Sequence, residues 1–453
     1  MISPGSPRAT SSALLAGSGL LFVLEVLFFT YWRNNLGPYW SPVLLYALGW
    51  GLCLLAARAV RGYRFVWPQM ASRPLLTRLA LGVGLSLGSW LLTTPILRKL
   101  IARADVATIG VRSDIIPALQ VYVTRFLGPD TVYQPIDLLG YTFLPNYPPL
   151  QWLPFVPAEV LGLDYRSWAF GLLLVALLGG YQWQLARLAL PTAEWLLKAV
   201  LPVLVLHFAV MTDKSMFSLT VESLIIGYYC VLAAGTLSGS PWAKALGVVL
   251  CLLSRFSLVL WLPLYGLLLL WENPRRGWLT AGLALAGVLL IFGPFLLHDP
   301  TIFLRAQLEN IGIAEGEWQH IDPQAPVAVP MHLFNGVGFA PWFYDLPGTL
   351  VERIARLQLA QLAACGAVVV GSGLLFWRFR HRFDARLAAL LSLKVYLATF
   401  YGFLIIPYTY LASVSLFTSL FVVLVISRKA PFLVPLAATD TRLPAATAAA
   451  PGQ

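Results

Sequence analysis

The sequence predicts an all-α fold: a polytopic membrane helix bundle of about twelve transmembrane helices, with short interfacial helices in two long outer loops. Three observations predict it. The chain of 453 residues is 58% hydrophobic and only 11% charged, with a mean hydropathy of +0.75. A soluble domain is roughly 45–50% apolar and about 25% charged, so a soluble enzyme, a disordered chain and a nucleic-acid module are all excluded. Apolar runs approaching the ~20 residues needed to cross a bilayer recur along the chain. The net charge of +11 gathers in clusters flanking those runs, as basic cytoplasmic loops would under the positive-inside rule. The 32 Pro and 36 Gly fit helices that are broken in places, since lipid-embedded helices tolerate both residues.

Each element follows in order. Residues 1–11 are a short polar tail, and no small-residue cleavage site follows the first apolar run, so that run is expected to remain as a helix. The expected spans are Ser12–Trp32, Pro42–Val60, Thr77–Ile96, Ser167–Ala186, Glu194–Met211, Phe217–Leu237, Ala243–Ser254, Ser257–Leu270, Trp278–Leu297, Ile354–Trp377, Leu387–Gly402 and Pro407–Ile426. Ala243–Ser254 and Ser257–Leu270 are each short for a full crossing. Basic clusters lie at Arg58, Arg61, Arg64, Arg73 and Arg78, at Arg275 and Arg276, from Arg378 to Arg386, and at Arg428 and Lys429. With both termini cytoplasmic, all of them fall on the cytoplasmic side. The expected membrane is the cell's inner (plasma) membrane. The transmembrane domain then covers 12–427, with outer loops at 97–166 and 298–353. Residues 428–453, rich in Ala, Pro and Thr, are expected to be a disordered cytoplasmic tail. The four cysteines, Cys53, Cys230, Cys251 and Cys365, all lie in apolar stretches, which argues against disulfides or a zinc site.

The first outer loop holds the densest set of candidates. Arg112-Ser113-Asp114 precedes Ile115, Gly128 follows fourteen residues after Asp114, and Tyr133 and Tyr147-Pro148-Pro149-Leu150 come later. A carboxylate at the mouth of a bundle is placed to take a proton from an acceptor hydroxyl. The simpler alternative for Asp114 is an N-cap on a helix starting at Ile115. Asp105 is its rival as base. Arg255, between two short apolar helices, is costly to hold in a membrane without a partner or a task, and is open to phosphate binding or an ion pair. Arg112 and Lys214 are further cationic candidates. Glu222, near the outer end of its span, would bind a sugar hydroxyl or pair with Arg255 or Lys214. Glu25 and Lys394 lie within spans, where function and a structural partner are both open. His298, His320 and His332 do not have the spacing of a metal motif, so no metal and no cofactor are expected. Trp318, Trp342 and Phe343 are candidates for interface anchors or a sugar platform.

These residues resemble the motifs of the GT-C superfamily of integral membrane glycosyltransferases. The similarity is to the polyprenyl-phosphate-mannose-dependent α-mannosyltransferases. That family has an Asp at the start of its first large outer loop, then a Gly, a Tyr and a Tyr-Pro-Pro-Leu-like element, matched by Asp114, Gly128, Tyr133 and Tyr147 to Leu150. A basic residue between short helices and a following Pro match Arg255 and Pro263. A later Pro followed by aromatics matches Pro407, Tyr408 and Tyr410. Ala118 departs from the family's Tyr, and three apolar runs precede the loop where many members have one. The resemblance implies a glycosyltransferase in which Asp114 is the general base and Arg255 steadies a departing lipid phosphate. Arg112, Tyr133, Tyr147, Lys214, Glu222, Tyr408 and Tyr410 would then contact substrate. The donor would be a polyprenyl-phosphate sugar, a hexose such as mannose, and the acceptor a glycolipid or cell-envelope glycan. Inversion at the sugar is part of what the resemblance implies.

Three rivals stand beside this reading. A secondary transporter or lipid flippase would carry charged sites near the midplane and often internal repeats, and no repeat is visible. A polysaccharide ligase would be rich in outer-loop arginines, whereas these loops carry carboxylates. A scaffold without catalysis would tolerate loss of the Asp114 carboxylate.

Overall fold

The structure is a computed structural model, and it describes residues 12–32, 35–67, 72–104, 113–138, 140–321, 328–427 and 432–436. The main helices are α1 (Ser12–Trp32), α2 (Gly37–Val60), α3 (Arg73–Arg103), α4 (Ile115–Leu127), α5 (Tyr165–Arg187), α6 (Thr192–Thr212), α7 (Glu222–Leu237), α8 (Pro241–Leu252), α9 (Phe256–Glu272), α10 (Pro274–Leu296), α11 (Ile302–Gln319), α12 (Leu350–Phe379), α13 (Ala385–Gly402) and α14 (Thr409–Val425). Among the described residues, seven are long and apolar enough to cross a membrane: α1, α2, α3, α5, α6, α10 and α12. The other apolar segments expected from the sequence are helical too, but shorter.

Local chemistry sets the helix starts. Proline opens α8 and α10, where its missing N–H costs no hydrogen bond. Asp164 accepts the Arg166 amide at 2.8 Å and caps α5, and Asp384 accepts the Arg386 amide at 2.8 Å and caps α13. Thr349 and Glu352 form a capping box on α12. The span expected over Phe217–Leu237 is broken instead. Asp213 caps a short helix, Lys214–Ser218, and Thr220 Oγ1 accepts the Glu222 amide at 3.2 Å as α7 begins.

The helices α7 and α14 are buried almost throughout and form the centre with α13. The perimeter helices α3, α10 and α12 bury little of themselves and expose leucines such as Leu91, Leu290 and Leu359. Rows of exposed leucine on long helices are stable only against an apolar surrounding, which a lipid bilayer supplies. One ion pair lies fully inside. Lys394 on α13 donates to Glu25 on α1 at 2.5 Å, and also to the Ser415 carbonyl and hydroxyl on α14. Ser419 donates to the other Glu25 oxygen at 2.7 Å.

The two ends of the bundle differ in charge. At one end the Gly62 amide bonds the Arg382 carbonyl, Arg386 and Lys244 share Glu272, and Arg276 donates to the Gly239 carbonyl. A two-stranded antiparallel sheet closes this end, pairing β1 (Tyr63–Phe65) with β4 (Leu433–Pro435). The expected disorder from 428 is therefore corrected over Leu433–Pro435, because β1 offers that segment a hydrogen-bonding partner; residues 428–431 and 437–453 lie outside the described residues. The all-α expectation holds apart from this sheet and one hairpin, β2 (Ile136–Leu138) with β3 (Tyr141–Phe143), turned at Gly140 with φ +84°.

The opposite end carries both long loops. Glu309 of the second accepts the Leu144 amide of the first at 2.9 Å, which fastens the two together. The second loop is pressed onto the chain between α13 and α14. The Val337 amide bonds the Pro407 carbonyl and the Phe339 amide bonds the Gly402 carbonyl. Gly336 and Gly338 permit this approach, since a Cβ on either would collide with Pro407. Trp318 is buried here and donates to the Ile405 carbonyl at 3.0 Å, so it is a packing residue of the loop.

Candidate functional site

Asp114 stands immediately before α4, in the N-cap position, yet its side chain makes no capping bond. Ser113 Oγ accepts the Ile115 amide instead, at 3.4 Å. The Asp114 carboxylate accepts the Tyr141 hydroxyl at 2.8 Å. Tyr141 reaches it because Gly140 turns the chain directly back from β2 into β3. Of the two readings open in the sequence, the carboxylate thus engages a tyrosine rather than the helix end.

Tyr147 is brought in by the prolines that follow it. Pro148 and Pro149 start a short helix, Pro149–Trp152, and the Leu150 amide bonds the Leu253 carbonyl at 2.8 Å. That bond docks the loop on the end of α8, beside the extended residue Arg255 that links α8 to α9. Arg255 donates to Glu222 at 2.5 Å, and the Tyr401 hydroxyl nearby is hydrogen-bonded to Ser257 Oγ at 3.3 Å. Glu222 is 3% exposed, and its second oxygen has no hydrogen-bond partner among the described residues. The guanidinium of Arg255 has five N–H donors, and its side chain is 22% exposed, so it retains capacity for an anion.

Tyrosines lie among these charged groups. The charges of Asp114 and Arg255 both act on Tyr147, and that of Arg255 also acts on Tyr410. Tyr408 and Tyr410 stack with ring centroids 5.3 Å apart. Burial, and then the Asp114 charge, push the Tyr147 hydroxyl well above its ordinary range. For Tyr141 the order is burial, then the bond to Asp114; for Tyr408 it is burial, then Glu317 and Asp114. All three hydroxyls therefore stay protonated as donors. On the far side, His332 lies 5.2 Å from the Tyr408 ring centroid and is hydrogen-bonded to Glu317. The bond from His332, reinforced by the charges of His332 and His320, holds the Glu317 carboxyl below its ordinary range despite burial.

The structure therefore gathers Asp114, Tyr147, Glu222, Arg255, Tyr408 and Tyr410 at one end. The Tyr133 hydroxyl donates to the Tyr147 carbonyl and accepts Trp152 Nε1–H, both at 3.0 Å, so it braces Tyr147. Lys214 is exposed, and no described contact links it to the others. Asp105 and Arg112 lie outside the described residues. Tyr141, Tyr401 and the Glu317–His332 pair were missed by sequence reasoning. The only signal for Tyr141 was the turn-forming Gly140 before it. No group of three or more His, Cys, Asp or Glu that could hold a metal ion occurs among the described residues.

An apolar perimeter, seven long apolar helices and a polar cluster at the end away from the basic residues define a multi-pass helical membrane protein. Comparison with family models, curated proteins and solved structures finds no match to this chain.

Proposed function

We propose that the protein is a membrane glycosyltransferase of the GT-C type, moving a hexose such as mannose from a polyprenyl-phosphate donor to a glycolipid or cell-envelope glycan. The observation that carries this reading is the placing of the Asp114 carboxylate and the Arg255 guanidinium at one end of the bundle, with Tyr147 under the charge of both. In this reading the chain makes about twelve passes, the shorter helices completing the count. The basic end is cytoplasmic, and the site faces outward.

The chemistry follows from those groups. Asp114 takes the proton of an acceptor hydroxyl as its oxygen bonds to the anomeric carbon. The bond from that carbon to the phosphate oxygen breaks, and the lipid phosphate leaves with the electron pair. Arg255 stabilises that anion where little water screens it. The unpartnered Glu222 oxygen receives a sugar hydroxyl. The midspan Glu25–Lys394 pair, the natural seat of ion coupling in a transporter, is held by Ser415 and Ser419 within the bundle, which favours the transferase.

The test is transfer in nanodiscs from radiolabelled polyprenyl-phosphate mannose to an envelope-lipid extract. Wild type should form labelled product, and Asp114→Asn should bind donor without transferring. Activity in Asp114→Asn would move the base elsewhere, to Asp105 first. A wild type without activity, but with counterflow of lipid in proteoliposomes, would replace the transferase by a transporter.

A further inference from the structure

A cavity lies away from the site just described. It holds about 510 Å3 and runs between α5, α7 and α8. Its walls are apolar and small: Gly179 and Gly180 on α5, Gly227 and Ala234 on α7, Ala243 and Leu246 on α8. A π-helical turn, Leu177–Gln182, forms part of the α5 wall. Such turns recur where a helix serves a function beyond packing. The rim residues Val175, Trp183 and Leu246 are exposed, so the groove opens sideways at the bundle's flank.

Helix geometry separates this groove from the candidate site. At 3.6 residues per turn, Leu224, Gly227, Val231 and Ala234 share one face of α7, and Glu222 falls roughly opposite. A lipid in the groove therefore has α7 between it and the Arg255–Glu222 pair. From Leu224 to Ser238 the wall extends roughly 20 Å, most of the ~30 Å hydrocarbon core.

Two polar features mark one end. Arg187 lines the groove at the basic end of the bundle, with its guanidinium 4.5 Å from the centroid of the Trp67 ring. It enters none of the ion pairs among the described residues. One turn deeper, Gln184 is 95% buried and donates to the Ala234 carbonyl at 2.6 Å, while its own amide oxygen has no hydrogen-bond partner among the described residues. A cation at the headgroup level with an apolar trough beyond it matches the order of phosphate and acyl chain in one lipid molecule.

We propose that this groove is a binding site for an anionic glycerophospholipid of the leaflet at the basic end. Its phosphate lies on Arg187 and one acyl chain lies along the glycines of α5 and α7. The site is separate from glycosyl transfer and depends only on the protein spanning a membrane.

The experiment is native mass spectrometry of the full chain released from nanodiscs of phosphatidylglycerol mixed with phosphatidylcholine. Wild type should retain one phosphatidylglycerol, preferred over phosphatidylcholine by about tenfold, the effect of one charge-assisted contact. Gly179→Leu should abolish retention. A Cβ there meets nothing within 4 Å, so the side chain fills the groove without displacing the helix. Leu246→Trp should block the groove from the α8 side. Arg187→Gln should remove the preference between the two lipids, and Leu359→Ala, exposed on α12 outside the groove, should leave retention unchanged. Undiminished retention in both blocking variants, or an unchanged preference in Arg187→Gln, would overturn the proposal. Recovery of a polyprenyl phosphate that Gly179→Leu removes would also overturn it, because the groove would then belong to the donor.

Discussion

Tyr141 donates its hydroxyl to the Asp114 carboxylate at 2.8 Å across a separation of 27 residues, and this bond occupies the side chain that the helix end would otherwise use as its cap. The carboxylate's role can therefore be separated from the stability of α4. Asp114→Asn is expected to lower transfer by about 10²–10⁴-fold, the range for loss of a general base, with donor affinity unchanged. Tyr141→Phe removes one partially exposed bond to a charged group and should lower kcat by about tenfold or less. Thermal unfolding of both variants should match wild type, and steady-state transfer kinetics check the ranking.

The Arg255–Glu222 pair makes a prediction in which stability and function part company. Arg255→Gln strands a buried carboxylate, and losses of this kind cost about 3–5 kcal/mol. The double variant Arg255→Gln with Glu222→Gln should recover most of the Tm, because no uncompensated charge remains. Donor binding should be lost in both, since neither offers a cation to the phosphate. Scanning calorimetry beside donor-binding isotherms distinguishes these outcomes.

The Glu25–Lys394 pair should behave differently. Each single substitution, Glu25→Leu or Lys394→Leu, leaves one buried charge and should cost about 3–5 kcal/mol. The double substitution should be much milder, and transfer activity should follow folded fraction alone. A double-mutant cycle with activity normalised to folded protein is the measurement. Activity lost beyond the folded fraction would give the pair a part in the chemistry.

Glu317 fixes an acid response of the second outer loop. Its carboxyl is held below its ordinary range by the bond from His332. A carboxyl with a depressed folded pKa adds stability that is complete above its unfolded value, about 4.3, and is lost as pH falls through the lower folded value. Wild type should therefore lose more stability than Glu317→Gln below about pH 4, and the two should run parallel above it. Melts recorded across pH 3 to 7 check the window.

Much of the fold was legible because hydropathy reports length and burial directly. Ser12–Trp32 has the same bounds in sequence and structure, and the short helix of the first outer loop starts at Ile115, the position the sequence offered. The break before Glu222 was not legible, because the apolar run continues through it and only the Asp213 and Thr220 side chains end and restart the helix. The site was legible where a charge stood out against apolar neighbours, as at Arg255 and Glu222. It was illegible where the partner came from far along the chain. Glu317 and His332 sit in an acidic, aromatic loop where nothing marks one carboxylate from another. Tyr401 ends a run of ordinary apolar sequence. Their roles arise only when the loop packs on Pro407, and that contact depends on two glycines whose spacing resembles no motif.

The small sheet that joins Tyr63–Phe65 to Leu433–Pro435 has a consequence for how the protein is made. Its first strand leaves the ribosome ahead of α3 and its second only after α14. At about 5–20 residues per second, the first strand waits roughly twenty to seventy seconds for its partner. The Phe65 amide also bonds Asp384 and the Gly62 amide bonds Arg382, so the same connector awaits two late-arriving segments. This end therefore stays open while the intervening helices are made, and the sheet acts as a latch that forms only once α14 is in place.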